Sequence, residues 1–433
     1  MLAATLSALF RRRLVSNALS LYAVQGLNYL TPLLVLPFVL RALGPEGYGS
    51  IVLAQALLGY AAILTNFGFN FTAARDISVA RRDPQEIARV YWTTMVAKGL
   101  LLLLSFVLLL IIVLVTPAFR SHWSVYLACS VLIVGEFAFP QWYFQGLERL
   151  KEVALVQAIS KVATAGATVA LVRSPSDVTL AALLTSAPQL VGVVVAMLLG
   201  QAIAPASLHV PNGAEIRAAL GKSWHMFASS VATMLYLNTN AFVLGLMCSA
   251  TAVAEYGLAN RLVSMLQGIS APTTQAVFPR ASLLFAEQPG AAWVLIWRVA
   301  KVLLPLIGGA SLLLGVFAPQ VVGFLGGSAY EGAVPAVRIM LLNPVLIAAA
   351  GIPAQIIMIN TGLTSQMLRI YLSVGLVNLV LLPMLVENFA ANGAAVSLTI
   401  AETLACSLLA GTVWKHRVRL GLSAAQVRKG SAR

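Results

Sequence analysis

The sequence predicts an all-α, polytopic membrane protein with about twelve membrane-spanning helices. Three observations predict it. The chain is 60% hydrophobic and only 10% charged over 433 residues, with a mean hydropathy of +0.89. Its apolar residues gather in long continuous runs; from Leu100 to Val115 the only polar side chain is Ser105. Its Lys and Arg residues cluster between those runs, mostly in every second connecting segment. A helix needs roughly 20 apolar residues to cross a hydrocarbon core of about 30 Å, and only helices or closed barrels satisfy their backbone there. A barrel would show short alternating segments instead. No polar stretch is long enough to form a soluble domain.

In chain order the spans are expected at 17–41, 48–70, 92–115, 122–146, 153–172, 178–202, 223–247, 252–279, 293–317, 334–360, 366–386 and 391–414. Arg11-Arg-Arg13 precedes the first, which contains Pro32 and Pro37 and runs too long for a signal-peptide core, so it is expected to be retained. Twelve spans place both termini on one side. That side carries Arg75, Arg81, Arg82, Arg89, Arg149, Lys151, Arg217, Lys222, Arg280, Arg298, Arg369 and the tail from Lys415. The other side holds only Arg41, Arg120, Arg173 and Arg338. By the positive-inside rule both termini are cytoplasmic. The net charge of +14 therefore indicates topology and contact with anionic membrane lipids, not nucleic acid.

The chain is expected to divide into a six-helix lobe at 1–203, a linker at 204–222 with Pro205, Pro211 and Gly213, a second six-helix lobe at 223–414 and a basic tail at 415–433. A short internal match supports this. Phe38-Val-Leu40 precedes Tyr48-Gly49, and Phe242-Val-Leu244 precedes Tyr256-Gly257, an offset close to half the chain.

Motifs of catalysis are absent. There is no GxxxxGK[ST] loop, no HExxH-like spacing among His122, His209, His225 and His416, and no G-x-S-x-G elbow. Cys129, Cys248 and Cys406 are scattered and suggest neither a disulfide framework nor a metal site. An enzyme is not expected, and no cofactor.

Ionisable residues within spans are costly and mark function by default. Here they are Lys98, Glu136, Lys161, Glu255, Arg261, Lys301 and Glu402. The slight excess of cations suits an anionic head such as a pyrophosphate, which arginine grips with two parallel hydrogen bonds. Arg261, Lys161, Arg75, Lys98 and Lys301 are the candidate anion-binding residues. A second group, Asn238, Thr239, Asn240, Asn378, Ser397, Thr399 and Glu402, offers side-chain oxygens for Na⁺, or one carboxylate for H⁺. Interhelical hydrogen bonding is the plainer role for these polar groups. Trp142 and Tyr143, within Phe137–Gln145, are candidate portal aromatics for sugar stacking; interfacial anchoring is the alternative.

Three segments together resemble the polysaccharide-flippase family, the Wzx-type O-antigen and exopolysaccharide transporters. They are Leu43-Gly-Pro-Glu-Gly-Tyr-Gly49 with Asn66-Phe-Gly-Phe-Asn70 and Ala73-Ala-Arg-Asp-Ile-Ser78; Pro140-Gln-Trp-Tyr-Phe-Gln-Gly-Leu-Glu148; and Tyr256-Gly-Leu-Ala-Asn-Arg-Leu262 with Pro272 and Gln275-Ala-Val-Phe-Pro-Arg280. The resemblance implies the fold of the multidrug/oligosaccharidyl-lipid/polysaccharide exporter superfamily, two six-helix lobes around a central cationic cavity. It implies transfer of an undecaprenyl-pyrophosphate-linked oligosaccharide across the inner membrane, with downstream polymerase and chain-length proteins as partners. By the same resemblance Arg261 falls where a pyrophosphate-binding arginine is expected, and Asn378 and Thr399 near sodium ligands. The match departs at the seventh span, where Asn238 and Asn240 stand in place of an acid. A cation-coupled multidrug exporter of the same superfamily and a membrane glycan polymerase are the alternatives. Carboxylates would suit the first, and a substantial external loop the second.

Overall fold

The computed structural model describes residues 2–199, 204–205, 207–237, 239–268 and 270–416. Asn238 and the tail beyond His416 lie outside the described residues. Every regular element among the described residues is helical. Among the described residues, seven helices are long and apolar enough to cross a membrane, or nine if two bent pairs each count as one span. The bent pairs are Pro175–Ser186 with Pro188–Leu198, and Gly213–Leu235 with Thr239–Met247.

Local chemistry sets several helix boundaries. The helix Pro84–Val115 starts behind Asp83, whose carboxylate accepts from the backbone N–H groups of Gln85 and Glu86 at 3.0 and 3.1 Å. Pro84, at the first helical position, has no N–H to leave unsatisfied. At 174–177 a capping box joins Ser174 and Asp177 ahead of Pro175. Two long helices are broken internally. Leu2–Asn66 turns at Gly44 (φ 67°), a backbone state that favours glycine, just before Pro45. Thr364–His416 turns at Ala390 (φ 46°, ψ −123°). In a third, Ile347–Gly351 widens into a π-turn next to Pro353, whose missing N–H disturbs the ladder.

The surface is inverted relative to a soluble protein. Pro84–Val115 buries Lys98, Ser105, Leu109 and Val113 along one stripe and exposes Leu103, Leu110 and Leu114. A polar stripe turned inward with leucines outward is what lipid, not water, stabilises on the outer face.

The chain divides into two compact units, one of Thr31–Ala254 and one of Met1–Leu30 with Glu255–Arg433. In the first, aromatic side chains from four helices form a core. Trp142 is 1% exposed, with its ring 5.5 Å from that of Tyr91; Tyr143 lies 5.1 Å from Tyr91, edge on. Such pairs contribute about 0.5–1.5 kcal/mol beyond the area they bury. The segment 204–222, expected as a linker, ends inside this unit. Gly213–Leu237 is one helix, and Ser223 and Lys222 bond Thr72 and Asp76 of Phe69–Val79. In the second unit, Ile296, Ile356, Ile357, Met358 and Leu409 form a separate apolar core.

Candidate functional site

The strongest polar node of the first unit surrounds Glu136. Its carboxylate accepts from the Asn66 amide at 3.1 Å and the Gln189 amide at 2.9 Å. Its backbone carbonyl accepts from Lys98 Nζ at 2.8 Å. Lys98 is 1% exposed, so its charge is compensated almost wholly by this node. Four helices supply the four side chains. Asn66 entered the sequence reading only within a family motif, and Gln189 not at all. An uncharged amide in an apolar run carries no linear signal of its partner.

The other candidate cations stand differently. On Ala250–Gly268 the residues Tyr256, Ala259, Leu262 and Val263 are buried, while Arg261 is exposed. The helix period therefore turns Arg261 away from that core. Arg75, on Phe69–Val79, and Lys301, on Pro289–Val316, are also exposed. Lys161 is half-buried, next to the fully buried Ser160. Arg75, Lys98 and Lys161 belong to the first unit, Arg261 and Lys301 to the second.

Of the oxygen-rich residues of the second unit, Ser397 and Asn378 meet directly. Ser397 Oγ donates to Asn378 Oδ1 at 2.8 Å, and Asn378 is 1% exposed. Thr399 Oγ1 donates to the Ala395 carbonyl at 2.9 Å. Glu402 is 5% exposed, within electrostatic reach of Tyr371 and Cys406. Asn240 is fully buried in the first unit, beside Thr239, whose hydroxyl meets Tyr60 Oη at 2.7 Å. Trp142 and Tyr143, expected at a portal, are buried here, packed against Tyr91 and against each other.

Several charges at the basic end of the first unit are paired. Arg81 meets Glu148 at 3.0 Å, and its hydrogen bond and charge hold the Glu148 carboxyl below the ordinary carboxylate range. Arg149 bonds Glu152, which raises the guanidinium further above its already high value.

A family model described as "Polysaccharide biosynthesis protein" matches residues 14–285, more than half of the chain. The chain belongs to this polysaccharide biosynthesis family. A member described as an O-antigen transporter, from Escherichia coli (strain K12), is 30% identical over 399 residues, covering 91% of this chain and 95% of that protein. Among solved structures, the lipid II flippase MurJ in an inward closed conformation superposes with a TM-score of 0.70 at 11% identity, covering 94% of this chain and 90% of that one. An inward-facing multidrug resistance MATE transporter of the MOP superfamily superposes with a TM-score of 0.65 at 14% identity, covering 92% and 99%. This member of the polysaccharide biosynthesis family is thus a polytopic membrane protein with the fold of MOP-superfamily transporters.

Proposed function

We propose that the protein is a flippase. It would carry an undecaprenyl-pyrophosphate-linked oligosaccharide, an O-antigen or exopolysaccharide repeat unit, from the inner to the outer leaflet of the bacterial inner membrane by alternating access. The observation that carries this is the nearly full-length likeness to the Escherichia coli protein described as an O-antigen transporter. Physics supports it. A pyrophosphate-sugar head cannot cross hydrocarbon unaided, because its charges and hydroxyls would lose their water. A protein path supplies polar partners while the lipid tail stays in the bilayer.

Twelve spans in two lobes suit the task. Dividing the long helices at Gly44 and Ala390, and counting Ala250–Gly268 with Ser270–Glu287 as one span, raises the nine apolar units to twelve. An even count keeps both termini cytoplasmic under the positive-inside rule. Arg261 is the leading residue for the pyrophosphate, since it is exposed and guanidinium forks match phosphate oxygens. Arg75, Lys161 and Lys301 extend the cationic path. Lys98 is committed to Glu136 and positions helices. Asn378, Thr399 and Glu402 form the proposed ion-coupling group for Na⁺ or H⁺. A multidrug exporter is the second reading, favoured by the shared MATE fold.

The test is the lipid-linked sugar profile of a strain lacking the gene, with spheroplasts separating inward-facing from outward-facing material. Completed repeat units trapped on the inner leaflet, with surface polymer lost, are expected. Completed units on the outer leaflet but unpolymerised would replace the flippase with a polymerase. An unchanged profile would bring the drug exporter forward.

A further inference from the structure

Two buried polar side chains of the second unit take no part in the proposed function. Asn343 is fully buried, and both polar atoms of its amide, Nδ2 and Oδ1, lack a hydrogen-bond partner among the described residues. Ser311 is 4% exposed, and its Oγ lacks one too. Serines in helices of this chain commonly donate to the carbonyl four residues back, as Ser105, Ser160, Ser230 and Ser282 do at 2.7–2.9 Å. Asparagines of this unit do the same: Asn360 and Asn388 reach the Ile356 and Met384 carbonyls at 2.8 Å. Ser311 and Asn343 do not.

The two stand at one level of neighbouring, antiparallel helices. Arg338 Nε donates to the Gly315 carbonyl at 3.3 Å, a Cβ on Gly315 would stand 2.8 Å from Leu341 Cδ1, and Ile307 packs with Ala348. Ser311, halfway between Ile307 and Gly315, therefore lies level with Asn343 and Pro344. The backbone on that side is irregular. One helix ends at Met340, another runs only from Leu342 to Leu346, and Ile347–Gly351 is a π-turn. Pro344 has no N–H for the Met340 carbonyl, and Pro353 none for that of Ala349. Such interruptions are where helices bend. The Ile339 carbonyl, four residues before Asn343, accepts from Thr399 Oγ1 at 3.4 Å, while the same hydroxyl donates to the Ala395 carbonyl at 2.9 Å. Passing the Ile339 carbonyl from Thr399 to the Asn343 amide would make one bond and lose only the longer half of a shared one.

We infer that residues 341–351 form a conformational switch of the transport cycle, and that this structure holds the switch in a dry, closed position. The inference rests on the alternating-access reading for there being a second position. An unmet amide and an unmet hydroxyl destabilise the closed position. Both residues therefore favour a position in which the seam between the two helices admits water and Asn343 turns onto the Ile339 carbonyl. Asn343 is thus a positioning residue. It biases the cycle away from full closure, and it does so one turn from a carbonyl that Thr399 of the proposed coupling group touches.

The test uses the full-length protein, purified for stability and in membranes for reactivity. Asn343→Leu nearly keeps the volume and removes the unmet amide, so its Tm should rise by about 2 °C. Ser311→Ala, a smaller change, should raise it as well. Export of the lipid-linked unit by Asn343→Leu should nevertheless fall about ten-fold, because the closed position is now favoured. A merely structural asparagine would move both readouts down together. The readout that needs no substrate is a thiol placed by Ser311→Cys in a background lacking Cys129, Cys248 and Cys406. A small maleimide should modify it, since the reactive thiolate forms where water enters, and about ten-fold more slowly once Asn343→Leu is added. A Tm that rises in neither variant would show that the amide and hydroxyl already have partners, such as a buried bridging water, and would overturn the switch. Equal thiol rates with and without the Asn343 amide, or undiminished export by Asn343→Leu, would overturn it too. Expected Tm and thiol results in a protein whose deletion leaves the lipid-linked pool unchanged would remove the flippase reading and leave the switch standing.

Discussion

Arg261 and Lys98 show how differently two embedded cations can be used. Arg261 is exposed beside a buried helix face, free of the packing that holds Lys98. Arg261→Ala is expected to abolish export of the lipid-linked unit at normal membrane levels, and Arg261→Lys to restore it poorly, because an ammonium lacks the planar fork. Full export by the alanine variant, scored by surface polymer and immunoblot, would remove Arg261 from the path. Lys98 is instead buried and held by the Glu136 backbone carbonyl, beside a half-buried carboxylate that two amides bond. Glu136→Gln keeps the backbone carbonyl that holds Lys98 but removes the nearby negative charge and one of the two carboxylate acceptors, and should cost about 1–2 kcal/mol of stability. The double variant Lys98→Met, Glu136→Gln should recover most of that loss in thermal unfolding. Strictly additive losses would show that the two charges do not interact. The sequence marked Lys98 and Glu136 as costly but could not pair them, since they stand 38 residues apart on different helices.

At the scale of elements, the turns and caps do much of the positioning. At the hinge of Thr364–His416, a Cβ on Gly393 would stand 2.0 Å from the Leu385 carbonyl oxygen. Gly393→Ala must therefore push the two arms apart, and overpacking of this kind costs about 1–3 kcal/mol. A lower Tm in detergent is expected; an unchanged one would mean that the turn relaxes freely. The ion pair Arg81–Glu148 ties the loop after Gln141–Gly146 to the end of Phe69–Val79. Arg81 lowers the Glu148 pKa, so the pair stabilises the fold above the ordinary glutamate pKa, about 4.3, and the contribution fades as pH falls through the lower folded value. Stability curves of wild type and Glu148→Gln should differ at neutral pH and converge on acidification. Curves that stay parallel down to acid would show that the pair contributes nothing. The span expected from 92 begins at Pro84, behind the Asp83 cap, because an apolar run marks where lipid starts and not where the helix does. The break at Ala390 was not legible in the sequence, because alanine ordinarily favours a continuous helix.

At the scale of the whole molecule, topology is the decisive expectation. In a background lacking Cys129, Cys248 and Cys406, a thiol introduced at Arg173 should react with an impermeant reagent in intact spheroplasts. One introduced at Arg82 should react only after lysis; the reverse pattern would invert the protein. The sequence by itself determined the solvent and the class. Continuous apolar runs can satisfy their backbone in lipid only as helices, and the alternation of Lys and Arg predicts an even number of crossings. It also carried the family, through motifs spread over most of its length. Tertiary structure alone decided which polar residues meet. It buried Trp142 and Tyr143 in a core instead of at a portal, joined Ser397 to Asn378, and placed 213–222 on a helix bonded to Phe69–Val79. These are contacts between helices far apart in the chain. Period and composition specify the face of one helix but not the face it meets.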